Sequence, residues 1–136
     1  MTKRVANAII AGVSLALGGL LYAVLRETTY IGRLFYGSEF VAVLRNLVNV
    51  DKTYWAAVYL PDFLWALSLS CSLMVLFAPS LKGIYLCALT AVMCGLLWEV
   101  LQAVQIVSGT GDLVDVALYF LAGAMSVIIN LKERGT

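Results

Sequence analysis

The chain has 136 residues, of which 62% are hydrophobic and 12% charged, and its net charge is +1. Roughly a quarter of the residues in soluble domains are charged, so this composition is that of an integral membrane protein, and the scattered basic residues exclude the clustered positive footprint that nucleic-acid binding needs. With no histidine in the chain, histidine triads and histidine metal sites are excluded, and any acid–base chemistry falls to Asp, Glu, Lys, Tyr or Cys.

Residues 5–25 are apolar apart from Asn7, Ser14 and Tyr22, and follow Lys3 and Arg4. At about 1.5 Å per residue the run crosses a ~30 Å hydrocarbon core. It is longer than the usual apolar region of a signal peptide, about 7 to 15 residues, and ends without a small-residue cleavage site, so an uncleaved first span is expected. Residues 26–53 are too polar to cross and too apolar for an ordinary linker. From Ser38 they take on helical spacing, with Phe40, Leu44, Leu47 and Val48 on one side and Glu39, Arg45, Asn46 and Asn49 largely on the other. This predicts a short amphipathic helix lying in the membrane interface.

The second span is expected over residues 54–77, opened by an interfacial belt of Tyr54, Trp55 and Tyr59 and followed by Pro79 and Ser80. Pro61 marks either its first turn or a kink, and Asp62 then reads as a first-turn acid. The third span is expected over residues 83–107 and the fourth over residues 113–131, with Lys132, Glu133 and Arg134 beyond it in water. Cys71, Cys87 and Cys94 lie in apolar runs without a C-x-x-C pair, which fits small buried hydrophobes better than a disulfide or a metal cage. Small pairs at Ser14/Gly18 and Ala122/Ser126 permit close helix approach. There is no internal repeat of the kind from which many transporters are built.

Lys3, Arg4, Lys82, Lys132 and Arg134 fall on one side of this topology, and Arg26, Arg33, Arg45 and Lys52 on the other. The 3–4 loop VSGTG has no basic residue, whereas the termini and the short PSLKG loop do. Both termini are therefore expected in the cytoplasm.

That orientation puts the start of the second span, the end of the third and the start of the fourth outside, so Asp62, Glu99, Gln102, Asp112 and Asp115 share one polar layer. No residue from 83 to 131 other than Glu99, Asp112 and Asp115 is charged. A carboxylate inside a span costs on the order of 2.5 to 3.5 kcal/mol, which makes such residues functional candidates. Glu99 is the strongest, about 12 Å by helical rise from the expected end of its span. Burial beside negative charge favours either a protonated acid or a site awaiting a cation, for which Arg33 and Arg45 are the internal candidates. Each acid also has a plainer reading. Asp112 and Asp115 have the spacing of an N-cap and a capping-box-like N3 acid, and Glu99 with Gln102, three apart on one face, suits interhelical hydrogen bonding.

The order WEVLQ, a glycine-containing turn and GTGDLVDVALYFLAG, with LPDFLWALSLS upstream, resembles the VanZ-like family of small bacterial membrane proteins. The likeness covers residues 59–131 best. It implies a multi-pass cytoplasmic-membrane protein, an association with low-level teicoplanin resistance, and no established reaction. The family's Glu and Gln fall on Glu99 and Gln102 and its Asp on Asp115. Many members carry an Arg in the turn, where this chain offers Thr110 or Gly111, and an Asn four residues after the Asp, where it has Tyr119; Gly123 comes one position late. Without the turn Arg the expected counter-charge is gone.

The expectation is one all-α domain over residues 1–136, a bundle of four transmembrane helices with the interfacial helix between spans one and two. It needs no cofactor or metal, and its partners are the bilayer and an envelope precursor or glycopeptide bound in an outward acidic pocket. Binding is preferred to catalysis because no nucleophile–base pair stands at useful spacing. The alternatives are a hydrolase or transferase on a lipid-linked envelope substrate, with Glu99 or Asp115 as base and a divalent ion held by the carboxylates, and a small proton-coupled exporter that titrates Glu99.

Overall fold

A computed structural model describes residues 2–25, 37–47, 54–77, 80–107, 109 and 111–132. They form five helices, α1 (Lys3–Leu25), α2 (Glu39–Leu47), α3 (Tyr54–Phe77), α4 (Leu81–Ala103) and α5 (Leu113–Lys132), and no strand is present among the described residues. Helices α1, α3, α4 and α5 are long and apolar enough to cross a bilayer, so the chain is a multi-pass membrane protein. The shares of their apolar windows buried in the bundle run from 28% to 39%, which leaves most of each span facing outward.

Helix α3 is the hub, packed against α1, α4 and α5, while α2 packs on α1. Lipid is as apolar as leucine, so helix association in a membrane rests on close packing and interhelical hydrogen bonds. The small residues supply the first. Gly18 of α1 is buried where an added Cβ would come within 2.6 Å of the Trp65 ring of α3, and Tyr22, one turn later, meets the same ring edge-on at 5.8 Å. Ala122 and Ser126 of α5 are fully buried. The Ser14/Gly18 and Ala122/Ser126 pairs therefore mark faces at which the helices meet.

The second comes from a buried polar set at the end of the bundle where the first and last spans start and finish. Asn7 and Asn130 exchange amide bonds at 2.8 and 3.0 Å, and the Asn130 amide also reaches the Ser126 carbonyl at 2.8 Å. Ser126 gives its hydroxyl proton to the Gly123 carbonyl at 2.7 Å, so in the 2.7 Å Ser70–Ser126 pair it is Ser70 that donates. Ser68 donates to the Ala11 carbonyl at 2.9 Å. Each bond ties two spans or lines their seam, at about 1 kcal/mol apiece.

Several boundaries differ from expectation. Helix α4 stops at Ala103, not at residue 107, although Val104, Ile106 and Val107 are apolar. Val104 is the C-cap, Gln105 takes a left-handed φ of 59°, the Gln105 N–H donates to the Gln102 carbonyl and the Ile106 N–H to the Leu101 carbonyl. Those two bonds are a Schellman motif, here closed by glutamine where glycine is usual. At the other end Ser80 caps α4 by accepting the Gly83 N–H at 3.1 Å. Helix α3 starts at Tyr54 and carries Pro61 inside it, fully buried. Asp62 is thus an interior residue of α3, not a first-turn acid.

Helix α2 also turns differently from its predicted faces. Val41 is buried and Leu44 half-buried against α1, whereas Phe40, Val43 and Leu47 are exposed. Arg45 lies on the packed side, where its guanidinium donates to the Ala23 carbonyl at 2.8 Å and the Val24 carbonyl at 3.0 Å. It satisfies last-turn carbonyls of α1 that have no intrahelical partner. Val48, Asn49, Arg33 and Lys52 lie outside the described residues. Cys71 and Cys87 are buried as expected, but Cys94 is exposed on the outer face of α4.

Candidate functional site

The opposite end of the bundle gathers the acids. Helix α5 begins after Asp112, whose Oδ1 accepts the Val114 N–H at 2.9 Å and whose carbonyl accepts the Val116 N–H. Asp112 is therefore the N-cap that the sequence pattern predicts. In a capping box the N3 side chain, here Asp115, would accept the cap residue's own N–H. Instead Glu99, on a different helix, takes it: Oε2 accepts the Asp112 N–H at 2.8 Å. The other oxygen, Oε1, accepts the Tyr119 hydroxyl at 2.9 Å. Glu99 is buried at 6% exposure, and a buried carboxylate needs such donors to stay in place.

Because α4 ends at Ala103, Glu99 stands about 6 Å by helical rise from the end of its helix, half the expected depth. The turn that follows is shaped to bring Asp112 back to it. Gly109 has a φ of +145°, and a Cβ there would strike the Gln102 side chain. At Gly111 a Cβ would come within 2.9 Å of Ala103 Cβ and 3.0 Å of the Glu99 carbonyl oxygen. Glycine at 109 and 111 thus lets the chain fold over the last turn of α4 under the half-buried Gln102.

Tyrosines hold the remaining acids. Tyr59 of α3 donates to Asp112 Oδ2 at 3.2 Å, and stacks on Trp55 with centroids 5.2 Å apart. Tyr22 of α1 donates to Asp62 Oδ1 at 3.4 Å. Asp115 is half-buried in the first turn of α5. Asp62, Glu99 and Asp115 all lie within electrostatic reach of Tyr119. The structure thus joins Glu99 and Asp112 by a hydrogen bond, sets Asp62 and Asp115 within electrostatic range of the Tyr119 that bonds Glu99, and places Gln102 against Gly109. Among the described residues no three acids or cysteines are grouped closely enough to hold a metal ion.

Tyr22, Tyr59 and Tyr119 were missed as partners. Tyr59 stands three residues before Asp62 and Tyr119 four after Asp115, spacings that put each pair on one helix face, and this was the available signal. Tyr119 shares Glu99 with the Asp112 N–H. Its ring lies against Gly95 of α4, where a Cβ would come within 2.5 Å of Cδ2.

The chain matches no protein-family model, no curated protein and no solved structure.

Proposed function

We propose that this is a VanZ-like cell-envelope protein of the cytoplasmic membrane, with both termini inside and the acidic end facing outward. There it binds a cationic or polyhydroxylated group of an envelope precursor or glycopeptide, and so contributes to teicoplanin resistance. One observation carries the reading: two of the stretches that bear the resemblance, WEVLQ and GTGDLVDVALYFLAG, meet at Glu99, whose Oε2 accepts the Asp112 N–H and whose Oε1 accepts the Tyr119 hydroxyl. An ionised carboxylate has about four acceptor positions. Glu99 spends its oxygens on internal donors and acts as framework, whereas Asp112 has one oxygen on its helix cap and one on Tyr59 at the longer 3.2 Å. Ammonium and hydroxyl donors are the groups such a site selects.

The test is susceptibility to teicoplanin and vancomycin in strains expressing wild type, Glu99→Gln or Asp115→Asn at matched membrane levels. The reading predicts reduced teicoplanin susceptibility with wild type and its loss with Glu99→Gln; no change in any strain sinks it.

A second reading, a small proton-coupled exporter with Glu99 as the titrating group, draws on the face of α5. Asp115, Tyr119, Ser126 and Asn130, spaced four, seven and four apart, line that face along the helix, and the last three are buried. In that case Glu99→Gln abolishes pH-dependent substrate efflux from vesicles.

A further inference from the structure

Helix α1 borders two apolar grooves of similar size, one shared with α2 and the other with α3. The first, about 360 Å³, has a floor of Ala16, Gly19 and Ala23, a wall at Leu20, and a roof of Phe40 and Val41 from α2. The second, about 340 Å³, lies between α1 and α3 beside Ala8, Gly12 and Ser72, with no residue of α2 in its lining. Both volumes fall in the range of small-ligand sites, roughly 300 to 1,000 Å³. The floors are open: a Cβ on Gly19 or on Gly12 meets nothing within 4 Å.

We propose that the roofed groove holds one acyl chain of a membrane phospholipid, drawn from the leaflet that meets the C-terminal end of α1, and that α2 is the clamp retaining it. Continuity of surface argues for this occupant. The walls at Leu15 and Leu20 are exposed on a helix long and apolar enough to cross a bilayer, and Phe40, in the roof, is itself 65% exposed. From Leu15 to Ala23 the groove runs about 12 Å along the helix, close to the ~15 Å depth of one leaflet's hydrocarbon. It opens toward the end of α1, where the Arg45 guanidinium sits on the Ala23 and Val24 carbonyls, at the level expected of a headgroup. A chain leaving bulk lipid for this groove gains no hydrophobic free energy, since one apolar medium replaces another. Retention therefore depends on fit, which α2 helps to set in the first groove, whereas α1 and α3 bound the second. The proposal uses none of the acidic residues and stands apart from the proposed function.

The experiment is native mass spectrometry of the full chain extracted from phosphatidylethanolamine/phosphatidylglycerol bilayers, with stepwise delipidation. Wild type is expected to keep one phospholipid per chain after the bulk lipid has gone. Gly19→Leu fills the floor and Phe40→Ala removes the roof, and each should lower retention by about 10-fold or more, near 1.4 kcal/mol of affinity. Gly12→Leu, in the second groove, should retain lipid as wild type does. Equal retention in Gly19→Leu, in protein of unchanged helicity and elution, overturns the proposal. So does a two-chain species in wild type that Gly19→Leu disperses, since the groove would then seat a second copy.

Discussion

Glu99 completes the N-terminal cap of a helix to which it does not belong, accepting the Asp112 N–H at 2.8 Å while Asp112 caps α5 with its own side chain. One carboxylate thus ties the last turn of α4, the turn after it and the first turn of α5. Replacing Glu99 with glutamine sets an amide donor against one of two donors. Leaving a buried donor unmatched costs about 1–3 kcal/mol, so Glu99→Gln should lower the thermal midpoint of the nanodisc-embedded protein. In a double-mutant cycle with Tyr119→Phe the two losses should fall short of additive, by about 0.5–2 kcal/mol.

Gly95 tests the same bond from behind. An alanine there would press within 2.5 Å of the Tyr119 ring, and the ring cannot move without disturbing its hydroxyl's bond to Glu99. Gly95→Ala should destabilise by about 1–3 kcal/mol, the usual cost of overpacking. Gly12→Ala, where a Cβ meets nothing within 4 Å, should leave the midpoint within error. Thermal scans of both variants check the contrast.

Gln105 offers a change of the opposite sign. Its φ of 59° at the C′ position of α4 is a conformation that costs a side-chain-bearing residue roughly 1–2 kcal/mol. Gln105→Gly should therefore raise the midpoint, with a gain in unfolding free energy of up to about 1 kcal/mol once glycine's greater unfolded-state freedom is subtracted.

The Asn7–Asn130 pair at the far end separates a broken network from a removed one. Asn7→Leu takes the donor from Asn130 Oδ1 and should cost about 1–2 kcal/mol in denaturant unfolding. Asn7→Leu combined with Asn130→Leu should recover most of that loss, because replacing both partners by apolar groups of similar size can be nearly neutral.

The four spans were legible because a lone segment satisfies its backbone in lipid only as a helix, and such a helix needs about 20 mostly apolar residues to cross, a pattern that hydropathy reveals. The N-cap role of Asp112 was legible for a related reason, since cap geometry is local. Less so was the end of α4: Val104, Ile106 and Val107 look like span residues, and only the backbone bonds of the Schellman turn show that the helix has stopped. Pro61 left a first turn and a kink both open, and it lies seven residues into α3, where packed neighbouring helices let a buried proline be tolerated. The Tyr119–Glu99 and Tyr59–Asp112 bonds join residues 20 and 53 apart in the chain, and their pairing depends on how α3, α4 and α5 rotate about their axes. Local pattern carries no record of that. Arg45 illustrates the same limit: nothing local in its sequence shows that its guanidinium reaches the carbonyl end of α1.

The central claim is that the end of the bundle built around Glu99 binds a cationic or polyhydroxylated envelope ligand. Titration of teicoplanin into nanodiscs carrying wild type, Glu99→Gln or the Gly12→Ala control tests it most directly. Saturable binding to wild type and control that weakens about 10-fold or more in Glu99→Gln, near 1.4 kcal/mol, is the predicted result. Equal affinity in all three, or binding no tighter than to empty nanodiscs, would contradict it.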